Sequence, residues 1–123
     1  MAGLTNTTRS TMLAAIFAAG TSGDGKAHFG SLHTADPGTT GTSEVTGGSP
    51  AYARKAITWG TPITTGSVSG GTITFDVPAG TFTHIGYWDT VTAGNFVGGY
   101  PLQASMTYGA QGTLPVTLTE TLT

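Results

Sequence analysis

The chain has 123 residues, a formal net charge of −2 and no cysteine. Its length is that of one domain, and the lack of cysteine excludes disulfides, thiolate zinc sites and cysteine nucleophiles. Only 8% of the residues are charged, against about 25% in an ordinary soluble domain. So neutral a surface suits a protein packed against its neighbours, and it equally suits a β protein with threonine-covered faces.

The basic residues are too few to follow a nucleic-acid backbone. There are four of them, Arg9, Lys26, Arg54 and Lys55, and they cannot form a continuous basic stripe. The longest apolar run, MLAAIFAAG at 12–20, is too short to cross a bilayer, and the polar segment before it disfavours a signal peptide. We therefore expect neither nucleic acid nor a membrane as a partner.

Residues 5–19 are predicted to form the one helix of the chain. Thr5 or Asn6 can cap its first turn, and Gly20 can supply the left-handed residue that ends it. Because the helix carries almost no charge, we expect it to lie between two surfaces or to be an arm that reaches a neighbouring subunit. The apolar side chains on one of its faces are Met12, Leu13, Ile16 and Phe17.

Beyond Lys26 the hydrophobic period changes to the alternation that is typical of β-strands. Segments 72–77 and 113–123 alternate apolar and polar residues, and Pro115 places the second at a sheet edge or beside a bulge. Residues 81–90 are apolar on both faces, which indicates a central strand or one covered by another subunit. Further strand candidates are 27–34, 51–58, 95–100 and 103–109, with a weaker one at 62–68.

Turn signals rich in glycine separate these segments, and no helical pattern lies between them. About seven or eight short strands at this spacing predict a mainly β fold, an antiparallel β-sandwich or jelly-roll-like barrel preceded by one N-terminal helix. The predicted organisation is an N-terminal helix or arm at residues 1–25 and a β-sandwich domain at residues 26–123.

The stretch SLHTADPGTTGTSEVTGGSP, residues 31–50, brings a histidine and two acids into one Gly/Thr-rich segment. It has no lysine where a phosphate-binding loop requires one, and it precedes a strand rather than a helix. His28 and His33 are five residues apart and point to opposite faces of a strand, which disfavours a shared metal site. Asp76 and Asp89 end separate strands and are expected to be solvated. We therefore predict no catalytic residue, metal or cofactor.

Arg54 stands out in a chain with so few charges. It lies two residues after Tyr52 on a predicted strand, so the two side chains share a face. The sequence leaves open a guanidinium stacked on that ring, an ion pair with Asp36 or Glu44, and an exposed strand arginine. Asp36 also begins an Asp-Pro-Gly turn that would place Gly38 at positive φ. We predict that this long segment contacts a neighbouring subunit.

Three sequence blocks in a fixed order resemble a known family. They are SLHTADPGTTGTSEVTGGSPAYARKAITW, ITFDVPAGTFTHIGYWD and GGYPL. From about Phe29 to Gly112 the chain resembles a family of small virion proteins of tailed phages, common among phages of actinobacteria. Its members have a short N-terminal helix and are labelled minor tail, tail fibre or head decoration proteins. The resemblance implies a non-enzymatic structural part of a virion and brings no catalytic or binding residues with it.

Two hypotheses follow for a protein made in the host cytoplasm and assembled into a virion. The main one is a capsid decoration protein, a homo-oligomer that binds the assembled shell through the major capsid protein. The alternative is a minor tail or tail fibre protein among other tail proteins, with a receptor- or carbohydrate-binding surface. The aromatic platforms for a glycan would be Trp59, Tyr87, Trp88 and Tyr100. The residues expected at subunit interfaces are Met12, Leu13, Ile16, Phe17, Asp36, Glu44, Arg54 and Trp88.

Overall fold

The computed structural model describes residues 3–60 and 65–122, in which a short helix is followed by six strands. The elements are α1 Asn6–Ala14, β1 Phe29–His33, β2 Lys55–Ala56, β3 Ser67–Val77, β4 Gly80–Trp88, β5 Phe96–Tyr108 and β6 Gly112–Thr121. The strands form two antiparallel sheets, one in the order β2-β1-β4-β5 and the other the pair β3-β6. Buried side chains of both sheets form one core. The predicted mainly β sandwich with an N-terminal helix is confirmed, with six strands among the described residues where seven or eight were expected.

The alternating segments form the smaller sheet, with their apolar side chains inward as predicted. β3 pairs with β6 in a register that runs from Ser67–Thr121 to Val77–Gly112. The buried side chains of this pair include Ile73, Phe75, Val77, Leu114, Val116 and Leu118. Among the described residues β6 pairs with β3 alone, so Pro115 lies in an edge strand, where its missing N–H is tolerated.

β4 is the inner strand between β1 and β5, as its apolar residues on both faces predicted. Ile85 and Tyr87 are buried in the core. Gly86 lies between them, and a Cβ at this position would approach His33 Nε2 to 2.6 Å and Ser31 Oγ to 2.7 Å. Glycine is therefore needed here because the polar side chains of β1 lie directly on the backbone of β4.

Two strand predictions differ from the structure. Residues 95–100 and 103–109, predicted as two strands, form the single strand β5, which continues through a bulge. The strand predicted at 51–58 is reduced to β2, because β1 uses its remaining edge for other bonds. Val45 N–H donates to the Leu32 carbonyl at 3.0 Å, and Leu32 N–H donates to the Tyr52 hydroxyl at 3.0 Å.

The weaker strand predicted at 62–68 lies partly outside the described residues. Residues 61–64 are not described, and Ser67 and Val68 begin β3.

The helix is shorter than the predicted span of 5–19. Thr5 caps it as predicted, because its hydroxyl accepts a hydrogen bond from Thr8 N–H at 3.1 Å. The helix ends at Ala14, and the following Ala15 keeps a right-handed conformation with φ −68° and ψ −23°. Gly20 therefore does not terminate the helix.

The helix packs on its own chain. Leu13 is 5% exposed and belongs to the core, and the Ser10 hydroxyl accepts a hydrogen bond from Gly66 N–H at 3.0 Å. Just beyond the helix, the Phe17 ring meets Trp59 edge-on, with 5.1 Å between the ring centroids. These contacts tie the N-terminal segment to the sandwich. Within residues 3–60 and 65–122, no helix has the length and hydrophobicity that crossing a bilayer requires.

Replacing Leu13 by alanine should lower the free energy of unfolding by about 2–5 kcal/mol, because the substitution removes buried methyl groups and leaves a cavity. The adjacent Met12 is 48% exposed, so Met12→Ala is a matched control that should change stability by less than about 0.5 kcal/mol. Urea unfolding followed by circular dichroism measures both. Equal effects of the two substitutions would contradict the docking of this helix face on the sheets.

Candidate functional site

Four side chains from separate parts of the chain converge on the larger sheet: Glu44, Tyr52, Arg54 and Trp88. We call this group the arginine clamp. Arg54 Nε and Nη2 donate to the two carboxylate oxygens of Glu44, each at 2.9 Å. Its guanidinium carbon lies 3.7 Å from the centroid of the Trp88 ring. The ion pair with Glu44 is thus confirmed, whereas the stacking partner is Trp88 rather than Tyr52.

The remaining nitrogen of Arg54 fixes the loop that follows β4. Nη1 donates to the carbonyl oxygens of Thr90 at 3.1 Å and Ala93 at 2.8 Å. Ala93 has φ 54°, a left-handed conformation that is uncommon for a residue with a Cβ. The Arg54 side chain is 9% exposed, and each of its three nitrogens has an acceptor inside the chain. The guanidinium is therefore an internal crosslink rather than a free cation.

Tyr52 connects the clamp to both sheets. Its hydroxyl donates to a Glu44 carboxylate oxygen at 2.9 Å and accepts from Leu32 N–H of β1 at 3.0 Å. Its ring stacks on Phe75 of β3, with a centroid distance of 5.9 Å and an interplanar angle of 19°. Burial, and then the charge of Glu44, raise the pKa of Tyr52, so the phenol keeps its proton and remains a donor.

A buried chain of hydrogen bonds lies behind Trp88. The indole Nε1–H donates to Ser31 Oγ at 3.0 Å, and Ser31 Oγ lies 2.7 Å from His33 Nε2. The other ring nitrogen, Nδ1, lies 2.7 Å from the carbonyl oxygen of Thr42. Because a carbonyl can only accept, Nδ1 carries the proton, and Nε2 accepts from the serine hydroxyl. Burial lowers the pKa of His33, so the histidine is neutral and structural.

The other acid of the 31–50 segment lies outside the clamp. Asp36 is exposed, and its Oδ1 accepts from Gly38 N–H at 2.8 Å, while Gly38 has φ 62°. The predicted Asp-Pro-Gly turn is confirmed. Further along, a Cβ at Gly41 would lie 2.3 Å from the Trp88 ring. The backbone of the segment therefore packs directly on the indole ring at Gly41.

Asp89 corrects the expectation of a solvated carboxylate at a strand end. It is fully buried, and its oxygens accept from Asn95 N–H at 2.7 Å, Asn95 Nδ2 at 2.7 Å and Gly25 N–H at 2.9 Å. These bonds, first that from the Asn95 backbone, lower the pKa of Asp89. The carboxylate joins two loops that are far apart in the sequence. The sequence TAGN at 92–95 is typical of a turn, but nothing in it indicates that Asn95 bonds to this aspartate.

The aromatic residues expected to form a glycan platform are mostly inside the molecule. Trp59, Trp88 and Tyr87 are 6%, 8% and 3% exposed, and only Tyr100 is partly open. Tyr87 donates to the Glu120 carboxylate of β6, and its hydroxyl oxygen lies 3.1 Å from that of Tyr100. Burial raises the pKa of Glu120. These rings therefore fill the space between the sheets instead of presenting a stacking surface.

Two of the eight residues predicted at subunit interfaces are exposed: Met12 and Asp36. Their contact with another subunit stays a prediction, as does that of the rest. The other six make the contacts within the chain described above or pack against its core: Leu13, Ile16, Phe17, Glu44, Arg54 and Trp88. The clamp contains the last three of these.

Replacing Arg54 by alanine should lower the free energy of unfolding by about 3–5 kcal/mol, the usual cost of removing one partner of a buried ion pair. Lys55→Ala is the matched control. Lys55 Nζ lies 3.8 Å from Asp76 with 36% of the side chain exposed, and such pairs contribute about 0–1 kcal/mol. Urea denaturation followed by tryptophan fluorescence measures the free energy of unfolding of both variants. A similar decrease in both would contradict a stabilising role of the arginine clamp.

The free energy of unfolding should fall as the pH drops below about 6.5, because the unfolded chain then protonates a histidine that the folded chain keeps neutral. The depressed pKa of His33 sets the sign. The stability it contributes is complete above the unfolded pKa and is lost as the pH falls through the folded pKa. Denaturant titrations at several pH values should show a slope of at most about 1.4 kcal/mol per pH unit from this group. An equal slope in His33→Gln would exclude this assignment.

The comparison with known proteins agrees with the resemblance seen in the sequence blocks. The sequence matches the family described as "Podophage GP4 fiber I protein gp80" over residues 3–123. No curated protein matches the chain. The family consists of phage fibre proteins, so a structural role in a virion follows for this β-sandwich. The chain belongs to the podophage GP4 fiber I protein gp80 family.

Proposed function

We propose that this protein is a non-enzymatic component of a fibre on the tail of a phage virion. The observation that carries the proposal is the family match over residues 3–123, since the family description names a fibre protein. Capsid decoration, the main hypothesis from the sequence, fits the low charge of the chain and its N-terminal helix. A fibre subunit uses the same features, so the tail fibre alternative now has the stronger support.

The internal bonding of the reactive groups supports a structural role. A catalytic acid or base needs a proton or a lone pair within reach of a substrate. Both ring nitrogens of His33 are engaged in hydrogen bonds inside the core, and Asp89 accepts three hydrogen bonds while fully buried. Arg54 and Glu44 neutralise each other. These groups stabilise the sandwich and its loops, which is what a rigid building block requires.

The proposed partners are tail proteins and further copies of the same chain. The low charge of the chain, 8% of its residues, supports close packing of identical copies because few like charges would meet. The major capsid protein would be a partner only under the decoration alternative. The order of the motif blocks supports phages of actinobacteria as the source.

Copy number and location in purified virions test the proposal. Quantitative mass spectrometry with labelled peptides gives the copies of this protein relative to the major capsid protein, and immunogold labelling gives their location. A tail fibre component should be present in few copies per virion, with label confined to the tail. A major capsid protein antibody, which should label the shell, is the control. Hundreds of copies with label spread over the shell would contradict the fibre and favour capsid decoration.

A further inference from the structure

An open groove lies between β5 and β6. The two strands are consecutive in the chain, yet in the part that the structure describes β5 pairs with β4 and β6 pairs with β3. A cavity of about 550 Å³ opens between them, and we call it the β5–β6 groove. Its apolar lining residues include Leu102, Tyr108, Leu114 and Val116. Leu114 and Val116 also belong to the core, so an occupant of the groove would add to the packing between the sheets.

A half-buried carboxylate lies beside one end of this groove. Tyr100 lines the groove, and its hydroxyl oxygen lies 3.1 Å from that of Tyr87. The Tyr87 hydroxyl donates to Glu120, which follows the groove-lining Thr119 on β6. Because a hydroxyl has one proton and a carboxylate only accepts, Tyr100 donates to Tyr87. The two phenols therefore form a chain of donors that begins at the groove and ends on Glu120.

The charge of Glu120 has no positive partner in the described part of the chain. Glu120 is the one charged residue between positions 90 and 123. Among residues 3–60 and 65–122 the carboxylates in ion pairs are those of Asp24, Glu44 and Asp76. Burial raises the pKa of Glu120, and removing a carboxylate from water is costly unless a cation compensates its charge. The end of the groove would therefore gain from a positive group.

The surroundings of Glu120 fit the side chain of a lysine or an arginine. The half-buried ring of Tyr100 lies at this end of the groove, and the face of such a ring attracts a cation. Both basic side chains join their charge to an alkyl stem that packs on apolar surface. The cavity is much larger than one ammonium group. Along β6, the edge opposite β3 has no strand partner among the described residues, and an extended segment can pair with such an edge.

We propose that the β5–β6 groove binds an extended segment of a partner protein, in which a basic side chain pairs with Glu120 and apolar side chains lie against Leu114 and Val116. Alternate residues of an extended segment point to the same side. The segment therefore has a lysine or arginine at one end and apolar residues at every second position from it. An acidic segment would be repelled by Glu120, and a neutral one would leave the carboxylate without a counter-ion. The contact holds for a fibre or for a shell, so it does not depend on the proposed function.

Titration of the purified full chain with short peptides, followed by NMR of its backbone amides, tests the proposal. The probes are Ac-Leu-Thr-Leu-Thr-Lys-NH2 and its reverse sequence, since a segment can run either way along β6. Each is compared with the same peptide carrying glutamine in place of lysine. At neutral pH at least one lysine peptide should bind at least about tenfold more tightly than its glutamine counterpart, the usual effect of a hydrogen bond to a charged group. No binding of either lysine peptide at millimolar concentration would overturn the proposal, and so would equal affinities of the lysine and glutamine peptides.

Two variants assign the preference for lysine to Glu120. Glu120→Gln removes the charge and keeps an oxygen that can accept from Tyr87. It should reduce the affinity for the lysine peptide to that of the glutamine peptide and leave the affinity for the glutamine peptide unchanged. Asp76→Asn is the matched control and should alter neither affinity, because Asp76 lies near the end of β3 opposite to Val68, the partner of Glu120. A preference for lysine that persists in Glu120→Gln would overturn the proposal.

The wild-type chain gives a second measurement, which stands even if Glu120→Gln does not fold. The preference for lysine should disappear as the pH falls through the pKa of Glu120, because the protonated carboxyl has no charge to pair with. A preference that is unchanged in acid would overturn the proposal. Spermidine is the probe for a free cation, and binding of spermidine as tight as that of the lysine peptide would overturn the docking of a protein segment.

Discussion

The ion pair between Arg54 and Glu44 is the contact on which the order of the long segment from residue 34 to residue 54 depends. Fixing the backbone of one residue costs about 1–2 kcal/mol, and a segment of this length without strands or helices has few backbone bonds to offset that cost. The Arg54 guanidinium offsets part of this cost with side-chain contacts. It holds Glu44 at 2.9 Å, covers Trp88 and binds the loop after β4.

The burial of Arg54 and Glu44 also bears on how the few charged residues of the chain are used. With four basic and six acidic residues in 123, the chain could have placed every charge on its surface. Instead Arg54 and Glu44 pair within the clamp, and Asp89 is buried among donors. Threonine covers much of the outer face of the smaller sheet, where its hydroxyls bond across strands, as in Thr72–Thr117 at 2.9 Å.

Local signals in the sequence predicted local structure well. The alternation around Phe75, the cap at Thr5 and the turn at Gly38 each depend on residues within one short segment, and each is confirmed. The stacking of Arg54 on Trp88 could not be predicted, because it depends on how the segment after β1 crosses β4. The same holds for Asp89, whose donors come from two distant loops. The sequence thus singled out Arg54 and included Glu44 among its possible partners, while the choice between them and the buried groups around them required the fold.

Hydrogen exchange of the backbone amides measures whether residues 34–54 unfold together with the core or separately from it. Gly41 N–H donates to the Pro37 carbonyl and Val45 N–H to the Leu32 carbonyl, each at 3.0 Å. If the arginine clamp makes this segment part of the cooperative unit, these two amides exchange only through the opening that also exposes β4. The two amides should then be protected as strongly as the β4 amides. Rapid exchange of Gly41 and Val45, with β4 still protected, would contradict it.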